Sequence, residues 1–303
     1  MKCLLCGREL EEDTIIIPKI KDGKGKIYRC NPCDLSMYDS YAGNRYYQRD
    51  YRKEYHPILK GKFSVNEVFD YGYDNQLKKV QLMELNNTLN SRKDVLEVGC
   101  GPGHFLYYIK RKVNKIAGIE PDPEYANYAK KKCNCDIYRN LSELKDEFDV
   151  IVFTNSICTM ENPIEEIEKY KRVLKNDGVV VVEVPNFNNI LLKVFGVKGY
   201  EDKFYTQAYK WYFSGISLQN LLRRCGFPGE LYYIGDDTLF NHLNWFINND
   251  SNGENKKLSS VLDGSEMINY EINNYFNVIE NHYEGLLINR GLTSSLLYIG
   301  RMV

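Results

Sequence analysis

The sequence predicts an α/β protein. A mainly parallel sheet carries helices on both faces, with a small cysteine module ahead of it and a helical insertion before the last strand. Three observations lead there. Residues 94–109 read as strand, glycine turn and helix. The same strand–helix alternation then recurs to about residue 184, which is the pattern of a doubly covered sheet. Two Cys-x-x-Cys pairs, Cys3/Cys6 and Cys30/Cys33, stand at the head of the chain, where large apolar residues are few.

The bulk numbers narrow the class. A chain of 303 residues holds one sizeable α/β domain plus a smaller module. Hydrophobic content of 43% with a net charge of -1 describes a soluble protein with no global basic field to draw it to nucleic acid. No apolar run approaches the ~18 residues of a spanning helix, and the opening M-K-C-L-L-C-G-R lacks a signal-peptide core. A cytoplasmic location with no membrane partner is expected. Nine cysteines, an odd number without a secretion signal, favour metal or free thiols over disulfides.

Taken in order, residues 1–60 come first. Each Cys pair sits beside a turn former, Gly7 or Pro32, and a hairpin through Asp22, Gly23 and Gly25 links the two. Two such knuckles bring four thiolates, Cys3, Cys6, Cys30 and Cys33, around Zn²⁺. Four thiolates leave no open position, so the zinc is structural; so small a core needs it to fold. From Tyr38 to Tyr55, six tyrosines alternate with Arg45, Arg49, Arg52 and Lys53. That stretch suits a linker helix packed on the domain seam, or stacking on bases. The domain boundary falls at about 60, with the second domain spanning 61–303.

Leu77, Val80, Leu82, Met83, Leu85 and Leu89 make a helix leading into the first strand, Val95 to Val98. Gly99, Gly101 and Gly103 follow, and Phe105, Leu106 and Ile109 open the next helix. This arrangement sets bare backbone and a helix N-terminus against a nucleotide. The spacing is G-x-G-x-G, and position 104, where a dinucleotide fingerprint carries Gly or Ala, holds His104. The second strand, Ile116 to Ile119, ends in Glu120, an acid able to take both hydroxyls of an adenosine ribose.

E-V-G-C-G-P-G followed by G-I-E-P-D resembles class I S-adenosylmethionine methyltransferases, which have a Rossmann-like sheet. The resemblance implies cofactor contacts at Glu97, Gly99, Cys100, Gly101, Gly103, Glu120 and Pro121. It also implies an adenine site at Asn140 and Leu141, and a segment folding over the cofactor that includes Tyr71, with Tyr73 nearby. Further on, a helix starts at Pro123, a third strand is Cys135 to Tyr138, and a fourth is Asp149 to Phe153. Open parallel sheets bind ligands at strand C-termini, so Thr154, Asn155 and Ser156 face the reactive end of the cofactor. Pro163 opens another helix, and Asp177-Gly178 turns into the fifth strand, Val179 to Val184.

With the cysteine pairs, K-R-V-L-K-N-D-G-V-V-V-V-E-V-P-N and Y-F-S-G-I-S-L-Q-N-L-L-R-R-C-G-F narrow the resemblance. They are similar to bacterial methyltransferases with an N-terminal zinc ribbon, whose relatives methylate sugars of deoxysugar and surface-polysaccharide pathways. Two positions depart from that pattern. Thr159 and Tyr209 stand where relatives carry histidine. A sulfonium methyl needs little beyond alignment when the acceptor is a good nucleophile, whereas an alcohol needs its proton removed. The candidates for that task are Tyr209, Glu161 and His104; the alternatives are an amine acceptor or no catalysis.

Residues 187–213 are rich in Tyr, Phe, Trp and Lys and read as an acceptor wall. Leu218, Leu221 and Leu222 form a helix capped by Cys225-Gly226, and Leu231 to Ile234 a strand. Within the insertion at 236–292, the Asn-rich stretch Asn241 to Asn255 reads as a mobile loop. Ile268, Ile272, Tyr275, Phe276, Ile279, Tyr283, Leu286 and Leu287 read as an amphipathic helix that caps the site or pairs with a second subunit. Ser294 to Met302 closes the sheet. The function expected is methyl transfer from S-adenosylmethionine to a small polar acceptor, above all a nucleotide-linked sugar. The alternatives are rRNA or tRNA methylation through the ribbon, and a non-catalytic cofactor-binding scaffold.

Overall fold

The computed structural model describes residues 1–40, 43–49, 64–235, 237–249 and 267–303. Its centre is a seven-stranded sheet in which β4 (Asp94–Val98), β5 (Lys115–Ile119), β6 (Asp136–Tyr138), β7 (Phe148–Thr154) and β8 (Leu174–Pro185) run parallel. The last strand, β11 (Ser295–Arg301), inserts antiparallel between β8 and β10 (Gly229–Ile234). The spatial order is β10-β11-β8-β7-β4-β5-β6. Val150 to Phe153 and Val179 to Val182 are almost fully buried, as valine-rich strands covered on both faces must be.

Helices α2 (Val65–Tyr73) and α3 (Leu77–Leu85) lead into the sheet; α4 (His104–Ile109), α5 (Pro123–Cys133) and α6 (Pro163–Tyr170) make the crossovers. Their starts follow local chemistry. Pro123 and Pro163 sit in the first turn, and the side chains of Asp122 and Asn162 accept from the first free N–H groups. Ser214 and Ser217 form a reciprocal cap on α9 (Gly215–Arg224), and Gly226 closes it at φ +77°. The fifth strand begins at Leu174, earlier than the Asp177-Gly178 turn suggested. Asp177 takes a left-handed conformation inside it, and the β7–β8 register shifts there.

The N-terminal strands β1 (Ile15–Ile17), β2 (Ile27–Cys30) and β3 (Leu35–Tyr38) form an antiparallel sheet whose fourth strand is β9 (Trp211–Phe213). Leu35, Ser36 and Met37 pair with Phe213, Tyr212 and Trp211. Asp22 accepts from the Thr206 hydroxyl and from the Gln207 N–H, and Tyr38 N–H donates to Lys210 O at 2.9 Å. The cysteine module is therefore stitched to the aromatic segment rather than tethered to it. Of the Tyr/Arg stretch, α1 (Asn44–Arg49) is described, with Tyr47 donating to Ala208 O at 2.9 Å; its continuation to Tyr55 lies outside the described residues.

Part of the stretch expected as a loop is a helix, α10 (Leu239–Asn248), and 250–255 lies outside the described residues. Asparagine content suggested a loop, but Thr238 caps the helix and His242 and Trp245, one turn apart, are buried. The last helix, α11 (Met267–Arg290), exposes Ile268, Ile272, Tyr275 and Leu286 and buries Leu287. Leu287 and Tyr283 pack against Ile190, Leu191 and Trp245, and a polar contact adds to them: Glu280, 6% exposed, accepts from Leu239 N–H at 2.7 Å. Between β8 and β9 lie α7 (Ile190–Lys193) and α8 (Lys198–Phe204). Among the described residues, no helix is long and apolar enough to cross a membrane.

Candidate active site

The glycine turn after β4 is built from strained backbone that only glycine takes without penalty. Gly99, Gly101 and Gly103 have φ of +75°, +56° and +88°. Gly101 N–H donates to Glu120 Oε2 at 2.8 Å and Asp122 N–H to Glu120 Oε1 at 2.9 Å. The carboxylate that ends β5 is thus locked against the turn that ends β4. Gly103 plays a different part from its neighbours. It faces α5, and a Cβ there would lie 2.7 Å from Cys133 Sγ and 3.2 Å from Ala129 Cβ. Gly103→Val therefore combines a forbidden φ with a clash and is expected to cost about 3 kcal/mol or more, read as a lowered urea midpoint.

Gly99, Gly101 and Glu120, but not Gly103, line a cavity of about 640 Å³ at the carboxyl ends of the parallel strands. Glu97, Gly99, Cys100, Gly101, Glu120 and Pro121 line its first half. Thr154, Asn155, Ser156 and Thr159 follow above β7, and Tyr71 reaches in from α2. Three buried polar atoms of the lining find no hydrogen-bond partner, Gln76 Oε1, Glu97 Oε2 and Ser156 Oγ. Burial pushes the Glu97 carboxyl up to about 8, partly offset by the nearby Lys79 ammonium. A cradle of open backbone, an orphaned acid and a second acid on the next strand fit an adenosine ribose and an ammonium group together.

The second half of the cavity is lined by Asn189, Tyr200, Phe204, Tyr209, Asp237, His242 and Trp245. Tyr200 meets Trp245 edge-on at 5.3 Å and stacks on Phe204 at 6.0 Å. Other expected residues fall elsewhere. Glu161 is exposed, away from the cavity wall, at the approach to α6. Asn140 and Leu141 are likewise outside the wall; the Asn140 side chain caps a short turn by accepting from Ser142 N–H at 3.0 Å. His104 does line the cavity, with Nε2 3.0 Å from Val68 O and its ring stacked on Phe69. Tyr73 packs against Phe69, Tyr107 and Tyr108.

Two features escaped the sequence reading. Lys79 on α3 is 1% exposed, ion-paired with Glu183 at 2.7 Å and donating to Thr154 Oγ1 at 3.0 Å beneath the middle of the cavity. In sequence it is one lysine of a Lys-Lys pair, with nothing to mark it as buried. The other is the pair Asp237 and His242, of which only His242 lies in the stretch expected as a loop. Thr238 followed by Trp245 on a helical spacing was the available signal.

At the far end of the ribbon, Cys3, Cys6, Cys30 and Cys33 bring their sulfurs within 4.8 Å of one another. Tetrahedral zinc with bonds of about 2.3 Å sets sulfurs ~3.8 Å apart; Cys6 and Cys30 stand at 3.7 Å. The geometry and the all-thiol donor set fit that ion.

Comparison with known proteins agrees with this architecture. A methyltransferase-domain family model matches residues 73–230, about half of the chain. The tRNA U34 carboxymethyltransferase of Aeromonas salmonicida is 26% identical over 242 residues, 71% of this chain and 67% of that protein. A thiol S-methyltransferase of Rattus norvegicus is 26% identical over 113 residues, 33% of this chain and 45% of that protein. The chain thus spans about two thirds of one relative's length and under half of the other's. Among solved structures, a SAM-dependent methyltransferase from Archaeoglobus fulgidus superposes with a TM-score of 0.51 at 17% identity, covering 78% of this chain and all of that one. Magnesium protoporphyrin IX methyltransferase of Synechocystis, solved with S-adenosylhomocysteine, gives 0.50 at 10% identity, covering 86% and 97%. By family match, fold and glycine turn, the chain belongs to the class I S-adenosylmethionine-dependent methyltransferases.

Proposed function

We propose that this protein transfers a methyl group from S-adenosylmethionine to a small polar acceptor, a nucleotide-linked sugar. The observation that carries the reading is the two-part cavity. One half offers open glycine backbone with Glu97 and Glu120; the other offers packed aromatic rings beside amide and carboxylate groups. Bound at the first half, S-adenosylmethionine supplies an activated methyl on a sulfonium. Glu120 holds the ribose, Glu97 faces the amino group, and Thr154 to Ser156 border the reactive end. Tyr200, Phe204 and Trp245 suit the C–H face of a pyranose, while Asn241 suits its hydroxyls. Their task is alignment, which alone supplies much of the acceleration in a displacement of this kind. The four thiolates hold a structural zinc.

Glu97 gives a test that needs no acceptor. Its folded pKa of about 8 lies above the ordinary 4.5. Its contribution to stability is therefore complete below pH 4.5 and lost as pH rises through 8. A cation arriving beside it draws the pKa back down. Cofactor binding at pH 7 is expected to release most of one proton, read by calorimetry in two buffers of different ionisation enthalpy. Glu97→Gln should abolish the release; an unchanged release would remove Glu97 from the site.

A second reading is RNA methylation, favoured by the 26% identical tRNA U34 carboxymethyltransferase. The net charge of -1 runs against it. Labelled S-adenosylmethionine offered with nucleotide sugars, tRNA and rRNA fragments separates the two. Label on sugar supports the main reading, and label on RNA with steep salt dependence supports the second. Turnover with any acceptor disposes of a non-catalytic scaffold.

A further inference from the structure

We infer that Asp237, held by His242, accepts the proton of an acceptor hydroxyl, so that this protein methylates oxygen. The inference rests on the methyl-transfer reading above and adds the atom and the base. Asp237 follows β10 and lines the acceptor half of the cavity, above the edge of the sheet formed by β8, β11 and β10. It is 7% exposed, and both its oxygens are fixed. Oδ2 accepts from Ser294 N–H at 2.8 Å, and Oδ1 lies 3.3 Å from His242 Nε2. His242, 3% exposed, has its Nδ1 2.7 Å from the Tyr283 hydroxyl.

A carboxylate oxygen accepts, and the His242 ring stands between that carboxylate and the Tyr283 hydroxyl, with Nε2 toward Asp237 and Nδ1 toward Tyr283. The imidazole thereby positions Asp237 without occupying all of it. A carboxylate has about four lone-pair sites, and two are used here. Asp237 lines the cavity with lone pairs beyond those two contacts. The other polar neighbours do not compete for the task. Burial pushes the Tyr200 and Tyr283 phenols up, with the Asp237 charge adding to it, so both stay protonated. Glu280 of α11 is turned to the Leu239 N–H. In the step, the sulfonium–methyl bond breaks and an O–CH₃ bond forms. The sulfonium becomes a neutral thioether, and the hydroxyl proton passes to the Asp237 carboxylate. Charge balances, one cation and one anion giving neutral products. The two histidines absent at Thr159 and Tyr209 are then not missed, because an acid–imidazole pair from the late insertion serves in their place.

The test uses the full chain, labelled S-adenosylmethionine and a fixed probe set: dTDP-glucose, UDP-glucose, bulk tRNA, an rRNA fragment and spermidine. Asp237→Asn and His242→Gln are compared with the parent. Cofactor affinity measured by calorimetry should stay within threefold for both, which shows that fold and donor site persist. On the hydroxyl probe that is methylated, Asp237→Asn should lose at least 100-fold in kcat. Its residual rate should rise about tenfold per pH unit, as hydroxide replaces the base, while the parent rate is flat above neutrality. His242→Gln should lose about 10-fold and keep the parent's pH profile. A merely structural role gives a pH-independent loss. Parent-level rates in Asp237→Asn, or methylation confined to spermidine, would overturn the inference. Label on RNA alone with the Asp237→Asn loss intact overturns the sugar reading and keeps the base. No transfer to any probe by the parent overturns both.

Discussion

Replacing Glu120 with alanine is expected to weaken S-adenosylmethionine binding by at least about 100-fold, close to abolishing it at micromolar concentrations. Hydrogen bonds to a charged group contribute ~1.5–3 kcal/mol each, and the ribose proposed at this carboxylate would offer two hydroxyls. The loss extends past the direct contacts. Glu120 is 3% exposed and receives the N–H groups of Gly101 and Asp122. Without it those donors are orphaned, and the glycine turn loses its tie to the next strand. Glu120→Gln keeps the shape and drops the charge; about a 10-fold loss is expected from it. Calorimetric titration measures both, with circular dichroism confirming the fold. Affinity within threefold of the parent in Glu120→Ala would end the ribose assignment.

The second large effect is expected from Cys30→Ser. Zinc affinity in small thiolate modules is worth ~10–16 kcal/mol of folding free energy, so loss of one ligand removes most of what holds residues 1–40. Metal content by inductively coupled plasma spectrometry should fall from one zinc per chain to near zero. Because β9 is a strand of the same sheet, the damage should not stop at the ribbon. Amides of β2, β3 and 206–213 should exchange hydrogen at least 100-fold faster, while those of β4, β5 and α5 keep their protection. Cofactor affinity should remain within threefold. Retained zinc, or exchange confined to the first forty residues, would contradict the four-thiolate site or its coupling to the 206–213 segment.

Much of the fold could be read in advance because its signals are local. The run from Asp94 to Ile109 encodes strand, turn and helix within sixteen positions, and proline with Asp or Asn marks the starts of α5 and α6. What could not be read depends on partners distant in sequence. Trp211 to Phe213 look like part of an aromatic wall, yet they complete a sheet begun near residue 15. The α10 helix was hidden by its asparagines, since Asn favours turns on average, while burial of Trp245 and His242 decides the outcome here. Lys79 and Asp237 were invisible for a related reason. A charged side chain signals surface until its partner is known, and Glu183 and His242 become visible only in three dimensions. Of the apolar stripe of α11, Tyr283 and Leu287 pack on the body while Ile268, Ile272, Tyr275 and Leu286 stay exposed, and the added hold of Glu280 on Leu239 N–H had no sign in the sequence.

The shared strand also constrains how the protein is made. On a ribosome, β3 emerges early, but its neighbour β9 lies roughly 170 residues further on, about 10–35 s of synthesis at ~5–20 residues per second. Throughout that interval the nascent N-terminus presents an unpaired β edge, the feature most prone to join the wrong chain. Early metal capture by the two cysteine knuckles would stiffen that hairpin and hold its edge in register until translation delivers the partner. Zinc starvation should therefore harm this protein first as a nascent chain, through aggregation during synthesis.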